Sequence, residues 1–364
     1  MNDADIRFMR LALTLGRRGQ GRCWPNPAVG CVIVRAGRII GRGSTAPGGR
    51  PHAEVVALAQ AGEGARGAAA YVSLEPCAHH GKTPPCAEAL IAAGVARVVV
   101  AVEDTDPRVA GQGLAMLRAA GVEVTTGVLA DEAGADLRGF LRRAAGGAPW
   151  ITLKLATSFD GRIATASGAS QWITGPEARR HVHAMRARHD AVMVGAGTAR
   201  ADDPMLTVRG MGMAHQPVRV VVSRRLELPE GGKLARSAGD VPLWLCHGPD
   251  VDEDRRAAWA ARGARLVPCA VAGRQLDPES LCAALGQAGL TRIFCEGGAA
   301  LAASLLSAGM ADELAGFTAG MALGAEGLPA VGAMGISELA EAHRFRLAEV
   351  RQVGGDVLHR WLRD

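Results

Sequence analysis

The chain has 364 residues, 48% of them hydrophobic and 21% charged, a length and composition that suit a globular protein of two ordinary domains. A formal net charge of +5 is too small to imply a polyanionic partner, and one Tyr, six Phe and six Trp leave few rings for stacking nucleic-acid bases. The balance of charge is compatible with a small phosphorylated substrate.

In chain order, residues 1–18 set Asp3, Asp5, Arg7 and Arg10 among Ile6, Met9 and Leu13. This is the spacing of an amphipathic helix and not of a secretory signal. Residues 31–34 form a short apolar run that 38–41 continue as a hairpin. Residues 52–61 have helical spacing, 71–74 read as a strand, 86–93 as a helix and 95–102 as a buried strand. A helix over 114–120 and a strand over 122–128 follow. The run Ala-Ala-Gly-Gly-Ala-Pro at 144–149 breaks the pattern and is the expected domain boundary, giving domains 1–146 and 147–364.

Beyond it, strands are expected at 150–156, 191–194, 218–222, 242–246 and 292–295, with helices at 177–188 and 299–308. Strands alternating with helices in both halves indicate an α/β fold. The longest run without charge, 297–311, is too short and too rich in Ala and Gly to span a membrane. Of the eight cysteines, only Cys77 and Cys86 stand in a metal-like context. Cys23, Cys31, Cys246, Cys269, Cys282 and Cys295 read as reduced thiols, so the cytoplasm is the expected compartment.

The chemistry concentrates at His52-Ala53-Glu54, Pro76-Cys77 and Cys86. One imidazole and two thiolates hold zinc with a fourth position open to water. A neighbouring carboxylate that is not a ligand, Glu54, is placed to move a proton. Pro51 suits the entry to a helix whose first turn contains His52 and Glu54, and Cys77 is expected at a helix start, where the dipole favours a thiolate. Two other readings fit the same residues. His79 or His80 would close a structural site of two Cys and two His, or the cysteines would be thiols in a metal-free loop. The order His-x-Glu, then Pro-Cys and Cys, is similar to that of zinc nucleobase deaminases, in which two residues separate the cysteines; here eight do, Ala78 to Pro85.

Those eight residues narrow the resemblance. Pro25-Asn26-Pro27-Ala28-Val29-Gly30-Cys31, His52-Ala53-Glu54 and Glu75-Pro76-Cys77-Ala78-His79-His80-Gly81-Lys82-Thr83-Pro84-Pro85-Cys86 resemble the bifunctional riboflavin-biosynthesis deaminase/reductase family, in which the longer spacing is normal. In the second half Thr152-Leu153-Lys154-Leu155, Ser158-Phe159-Asp160-Gly161-Arg162, Ser170-Gln171-Trp172, Gly195-Ala196-Gly197-Thr198, Ala201-Asp202-Asp203-Pro204 and Glu296-Gly297-Gly298 resemble its reductase portion.

The resemblance implies a cytidine-deaminase-like α/β/α domain followed by a dihydrofolate-reductase-like α/β domain. It implies His52, Cys77 and Cys86 as ligands of one Zn2+ and Glu54 as proton shuttle in deaminating a diaminopyrimidinone. It implies NADPH along Ala156, Trp172, Thr198, Asp202, Ser223 and Gly298, Ala299, Ala300, Leu301, Ala302, Ala303 and Ser304. Substrate would lie along Ser170, Arg186, Leu206, Arg209 and Glu296, the two arginines suiting a phosphate. Asn26 is a candidate for holding the ring or ribose, His79 and Lys82 for facing the phosphate, and Lys154 and Asp160 for protonation or anchoring. The expected partner is the small pyrimidine phosphate, with no nucleic acid and no membrane, and the protein is expected to be a homo-oligomer. A nucleic-acid-editing deaminase with an unrelated extension and a zinc-stapled binding protein are the competing classes.

Overall fold

A computed structural model describes residues 2–81, 84–106 and 110–364. The chain divides into two compact units, Met1–Gly147 and Ala148–Asp364.

The first unit begins with α1 (Asp3–Arg17), capped by the Asn2 side chain, which accepts the Asp5 N–H at 2.8 Å. There follow β1 (Gly30–Arg35), β2 (Arg38–Ser44), α2 (Ala53–Ala61), β3 (Ala69–Leu74), α3 (Cys86–Ala92), β4 (Arg97–Val102), α4 (Gln112–Ala119), β5 (Glu123–Thr125) and α5 (Ala130–Gly146). The sheet order is β2-β1-β3-β4-β5, with β1 antiparallel to both neighbours and the β3-β4-β5 pairs parallel.

Both faces of this sheet are covered. Cys31 and Ile33 pack with Ala53, Ala57, Leu90 and Leu114, whereas Val32 and Val34 pack with Phe8, Met9 and Leu13 on the other side. That is why 31–34 reads as an unbroken apolar run and not as an alternation. On β2, Gly43 faces the start of α2. A Cβ there would lie 1.9 Å from the Ala53 carbonyl oxygen, so the absence of a side chain seats the helix on the strand.

The second unit contains β6 (Trp150–Ser158), β7 (Arg162–Ala164), α6 (Pro176–Arg186), β8 (Ala191–Gly195), α7 (Ala196–Asp202), β9 (Val218–Val222), α8 (Lys233–Arg236), β10 (Leu243–His247), α9 (Glu253–Ala261), β11 (Arg265–Pro268), β12 (Val271–Ala272), β13 (Gln275–Leu276), α10 (Pro278–Gln287), β14 (Arg292–Cys295), α11 (Ala299–Ser307), β15 (Glu313–Ala319), β16 (Leu328–Pro329), β17 (Phe345–Val353) and β18 (Asp356–Arg363). Nine strands form one sheet in the order β11-β10-β9-β8-β14-β6-β15-β18-β17. The pairs from β11 through β15 are parallel, and β18 is antiparallel to β15 and β17.

Buried carboxylates sit at the N-terminal ends of the parallel strands. Asp190 accepts the Thr291 N–H and hydroxyl and the Arg292 N–H, and Asp312 accepts the Ile151 N–H and the Arg363 guanidinium. Glu313 takes the Trp150 and Thr152 side chains and Arg360, and Arg360 also reaches Glu349. These bonds bring the C-terminal hairpin β17–β18 onto the sheet.

That hairpin has no counterpart in the sequence reading. Most residues of β17 are exposed, so its pairing with β18 and not an apolar face holds it. Other boundaries shift locally. Helix α5 runs into the expected linker and stops at Gly147, which takes a left-handed conformation at φ 76°. The strand expected over 122–128 is only Glu123–Thr125. All six cysteines outside the 77–86 segment are buried and unbridged. Among the described residues no helix is long and apolar enough to cross a membrane.

His189 is buried at the foot of β8, where Nδ1–H donates to the Met185 carbonyl at 2.7 Å and Nε2 lies 3.2 Å from the Thr152 hydroxyl. Burial, aided by Arg292, pulls its pKa down to about 4. The unfolded chain therefore binds a proton near pH 6.5 that the folded unit refuses until about pH 4. Stability from this group is present above 6.5 and lost as pH falls through 4, amounting to about 3 kcal/mol. In chemical denaturation of the full chain between pH 7 and 4, His189→Gln is expected to flatten that part of the loss in the C-terminal unit's transition.

Candidate active sites

In the first unit three segments converge. His52 is the N-cap of α2, with extended backbone (φ −72°, ψ 160°), and so stands just before the helix rather than in its first turn. Glu54, in the first turn, is buried at 4% exposure. Cys77 lies in the loop after β3, and Cys86 is the first residue of α3. The helix start expected at Cys77 thus belongs to Cys86. The Cys77 sulfur nevertheless faces it, because the Cys86 N–H points to Cys77 Sγ at 3.3 Å.

His52 Nδ1 lies 3.7 Å from Cys77 Sγ and 3.3 Å from Cys86 Sγ, and the three donor atoms all fall within 4.8 Å of one another. Tetrahedral zinc with sulfur at about 2.3 Å and nitrogen at about 2.0 Å requires a sulfur–nitrogen edge of about 3.5 Å. The triangle fits such an ion, and among the described residues no fourth protein donor joins it.

Electrostatics agree with that fit. The Cys86 thiol beside it, then His52, pull Cys77 down to about 4, and Cys86 is correspondingly pushed up. The hydrogen bond to Cys77 raises His52 most, and burial pushes Glu54 up to about 7.

The loop holding Cys77 is fixed from below by Glu75. Its carboxylate is 3% exposed and accepts N–H groups of Asp104 (3.3 Å), Gly111 (3.0 Å), Gly113 (3.0 Å) and Leu114 (3.3 Å). Gly113 packs so closely that a Cβ would lie 1.9 Å from the Pro76 carbonyl oxygen. Sequence reading missed Glu75, whose signal was an acidic residue at the end of an apolar strand.

The Asn26 amide contacts His52 Nε2 at 3.2 Å and donates to the Gly49 carbonyl at 3.0 Å. It therefore stands behind the His52 ring, opposite the face that meets the sulfurs. His80 pairs with Glu88 at 2.9 Å, and neither it nor His79 joins the donor cluster. This leaves a closed site of two Cys and two His without support among the described residues. Lys82 lies outside the described residues.

In the second unit a cavity of about 1170 Å³ opens at the C-terminal ends of β9, β8, β14 and β6. Open parallel sheets bind ligands at this edge. Ala156, Ser170, Trp172, Thr198, Asp202, Ser223, Gly298, Ala299, Ala300, Leu301 and Ser304 line it, as do Lys154, Arg186, Arg209 and Glu296. Ala302 and Ala303 do not. They are 0% and 6% exposed on the core side of α11, since a helix offers a cavity only one face. Leu206 is likewise buried away from the lining, beside Val192 and Val221. Asp160 is outside it too; its carboxylate accepts the Ser158 hydroxyl and the Leu323 and Gly324 N–H groups, a structural tie between β6 and the segment after β15.

One end of the cavity is densely charged. Arg186 makes a two-pronged pair with Glu296, its second bond being 2.9 Å, and donates to the Thr207 carbonyl at 2.8 Å. Lys154 is pulled down by burial but feels Glu296 and Asp202, which favour its charge. His183, which sequence reading passed over, lines the same end and accepts the Arg209 N–H on Nδ1 at 3.2 Å. Its signal was the three-residue spacing from Arg186, which puts both on one face of α6.

The fit extends to known proteins. The profile described as the cytidine and deoxycytidylate deaminase zinc-binding region matches residues 2–102, and that described as the RibD C-terminal domain matches 149–359. The chain is 43% identical to the riboflavin biosynthesis protein RibD of Escherichia coli (strain K12), across 97% of this chain and 98% of that protein. The chain belongs to the RibD family. A RibD from Aquifex aeolicus (strain VF5) is 37% identical across 98% of each chain. The solved RibD of Acinetobacter baumannii superposes with a TM-score of 0.88 at 38% identity, covering 99% of both chains. A solved diaminohydroxyphosphoribosylaminopyrimidine deaminase/5-amino-6-(5-phosphoribosylamino)uracil reductase from Thermotoga maritima superposes at 0.86 and 31% identity, again over 99% of both. As a RibD-family member the protein is a bifunctional deaminase and reductase of riboflavin biosynthesis, using zinc and NADPH.

Within this RibD-family deaminase unit, Glu75→Gln replaces one carboxylate oxygen, and with it two of the four acceptor contacts, by an amide NH2 facing backbone N–H groups. A loss of about 1–3 kcal/mol is expected in denaturant unfolding of that unit. The zinc content of the purified variant is expected to fall with it.

Proposed function

We propose that the first unit hydrolyses the amine of a small diaminopyrimidinone ribosyl phosphate and that the second reduces the ribose of the deaminated product. The observation that carries this reading is the meeting of His52, Cys77 and Cys86 with a buried carboxylate, Glu54, beside them. Bound zinc supplies Lewis acidity toward water, and NADPH supplies a hydride.

The rest is work of the chain's own side chains. His52, Cys77 and Cys86 are the zinc ligands, and Asn26 orients the His52 ring from its far nitrogen. Glu54, lifted toward neutrality by burial, takes a proton from water and gives it to the ring nitrogen, then takes the second proton from the added hydroxyl and gives it to the departing amine, which leaves as ammonia. Water plus the amino-bearing carbon thus become a carbonyl and ammonia.

In the second unit the glycine turns before α7 and α11 bring backbone close to the NADPH phosphates. Arg186 is engaged by Glu296 and Thr207, so the exposed Arg209, set in place by His183, is the arginine left to bind the substrate phosphate. Lys154 and Asp202 are the proton-bearing groups at the substrate end, whereas Asp160 is held by the 323–324 backbone. A small phosphorylated pyrimidine suits these sites better than nucleic acid, given the scarcity of aromatic side chains. Free thiols throughout accord with a cytoplasmic location.

Two substitutions test the division of labour. Glu54→Gln is expected to lower ammonia release by about 10²-fold or more while zinc stays bound, and to leave reduction of the deaminated intermediate intact. Arg209→Ala is expected to raise KM for that reduction roughly tenfold or more and to spare ammonia release. Assays of ammonia and of NADPH consumption, run separately on each intermediate, read both. Loss of both activities from either folded variant contradicts two independent sites.

A further inference from the structure

Between α7 and β9 the chain runs through residues 203–217 without a helix or a strand. A connection of this length without secondary structure is uncommon in a compact unit and is usually functional. The stretch nevertheless enters the interior. Leu206, Thr207 and Val208 are buried, and Arg209, the next residue, is exposed and lines the cavity. Buried backbone N–H and C=O groups need partners, and these three residues belong to no strand that would supply them.

Side chains supply them instead. Arg186 donates to the Thr207 carbonyl at 2.8 Å. Gln216 takes both groups of Val208: its Oε1 accepts the Val208 N–H at 2.7 Å, and its Nε2 donates to the Val208 carbonyl at 3.2 Å. His183 Nδ1 accepts the Arg209 N–H at 3.2 Å. A primary amide suits the middle position, because its donor and acceptor sit side by side like the two backbone groups of a neighbouring strand. The same Nε2 lies 3.4 Å from the Met213 carbonyl, which closes the 208–216 loop on itself.

The Leu206 side chain anchors the segment from the other direction, in the core beside Val192 and Val221. The backbone from 206 to 209 is therefore held, and the Arg209 guanidinium starts from a fixed Cα. This matters for binding. An arginine gives up rotamer freedom when it grips a ligand, and a loose backbone beneath it adds an ordering cost of its own.

We propose that Gln216 is a positioning residue for the reduction: by holding both backbone groups of Val208 it sets Arg209 toward the substrate phosphate. This rests on the reading that Arg209 binds that phosphate. Gln216 itself is outside the cavity lining, so its effect on substrate passes through Arg209.

Steady-state reduction of the deaminated intermediate by the full chain, with and without the 5-phosphate on the substrate, tests this. Gln216→Ala is expected to raise KM for the phosphorylated substrate about fivefold, with kcat and the KM for NADPH unchanged. It is expected to leave kcat/KM for the phosphate-free substrate as in the wild type. In the double variant Gln216→Ala/Arg209→Ala, KM is expected to equal that of Arg209→Ala alone, because two residues acting through one contact are not additive. His183→Ala, which leaves Gln216 in place, is expected to raise the same KM, and His183→Asn, whose carbonyl oxygen can accept the Arg209 N–H, to restore part of it. A wild-type KM in Gln216→Ala, a full additive loss in the double variant, or an equal loss on the phosphate-free substrate overturns the positioning role while leaving Arg209 as the phosphate ligand. An unchanged KM in Arg209→Ala overturns the phosphate reading itself and the proposal with it.

Discussion

The Glu75 carboxylate accepts four backbone N–H groups from the 104–114 segment, and the placement of Cys77 depends on it. Glu75 ends the central strand β3, and Cys77 is two residues further on. With Glu75 held, the Pro76 carbonyl rests against Gly113 and the Cys77 sulfur meets the Cys86 N–H. The second sulfur and the His52 ring then come within reach. A buried charge is costly unless N–H groups converge on it, and here the convergence rigidifies a loop that carries a metal ligand.

The metal triangle also depends on packing on the far side of the strand. His52 is an N-cap, so its position follows that of α2, and α2 is set by its approach to Gly43. The same burial that seats the helix removes Glu54 from water and lifts it toward neutrality. Positioning and proton affinity have one cause. A Glu54 in solvent would be a weaker base, reluctant to take a proton from water and quick to give it up.

The reductase unit separates structure from chemistry along its strands. At their N-terminal ends Asp190, Asp312 and Glu313 are saturated with hydrogen bonds and hold the sheet together. At the C-terminal ends Lys154, Asp202 and Arg209 face a cavity and retain capacity for a ligand. Arg186 is the intermediate case: it faces the cavity, yet Glu296 and Thr207 hold its guanidinium, so its charge acts through Glu296 and Lys154. Hydride transfer asks mainly for two bound molecules in register, and a rigid strand edge supplies that better than mobile loops.

Much of this was legible in the residues. The spacing of His52, Glu54, Cys77 and Cys86 identified a zinc centre, and the glycine turns at Gly195 and Gly297 marked the ligand edge of the second half. Both signals are local, because short runs of chain must carry donors and bare backbone wherever metal and phosphate bind. What periodicity could not show was the hairpin β17–β18, whose outer strand β17 is mostly exposed. Nor could it separate Ser304 from Ala302 and Ala303 on one helix, or Lys154 from Asp160 a few residues on. Residue type and spacing pointed to zinc chemistry in the first half, and the family resemblance carried by the motifs implied the reduction in the second. Only the tertiary structure decided which side chains are free to perform that chemistry, because hydrogen bonds from distant segments consume some charges, as at Asp160 and Arg186, and leave others, as at the Arg209 guanidinium, without a carboxylate partner among the described residues.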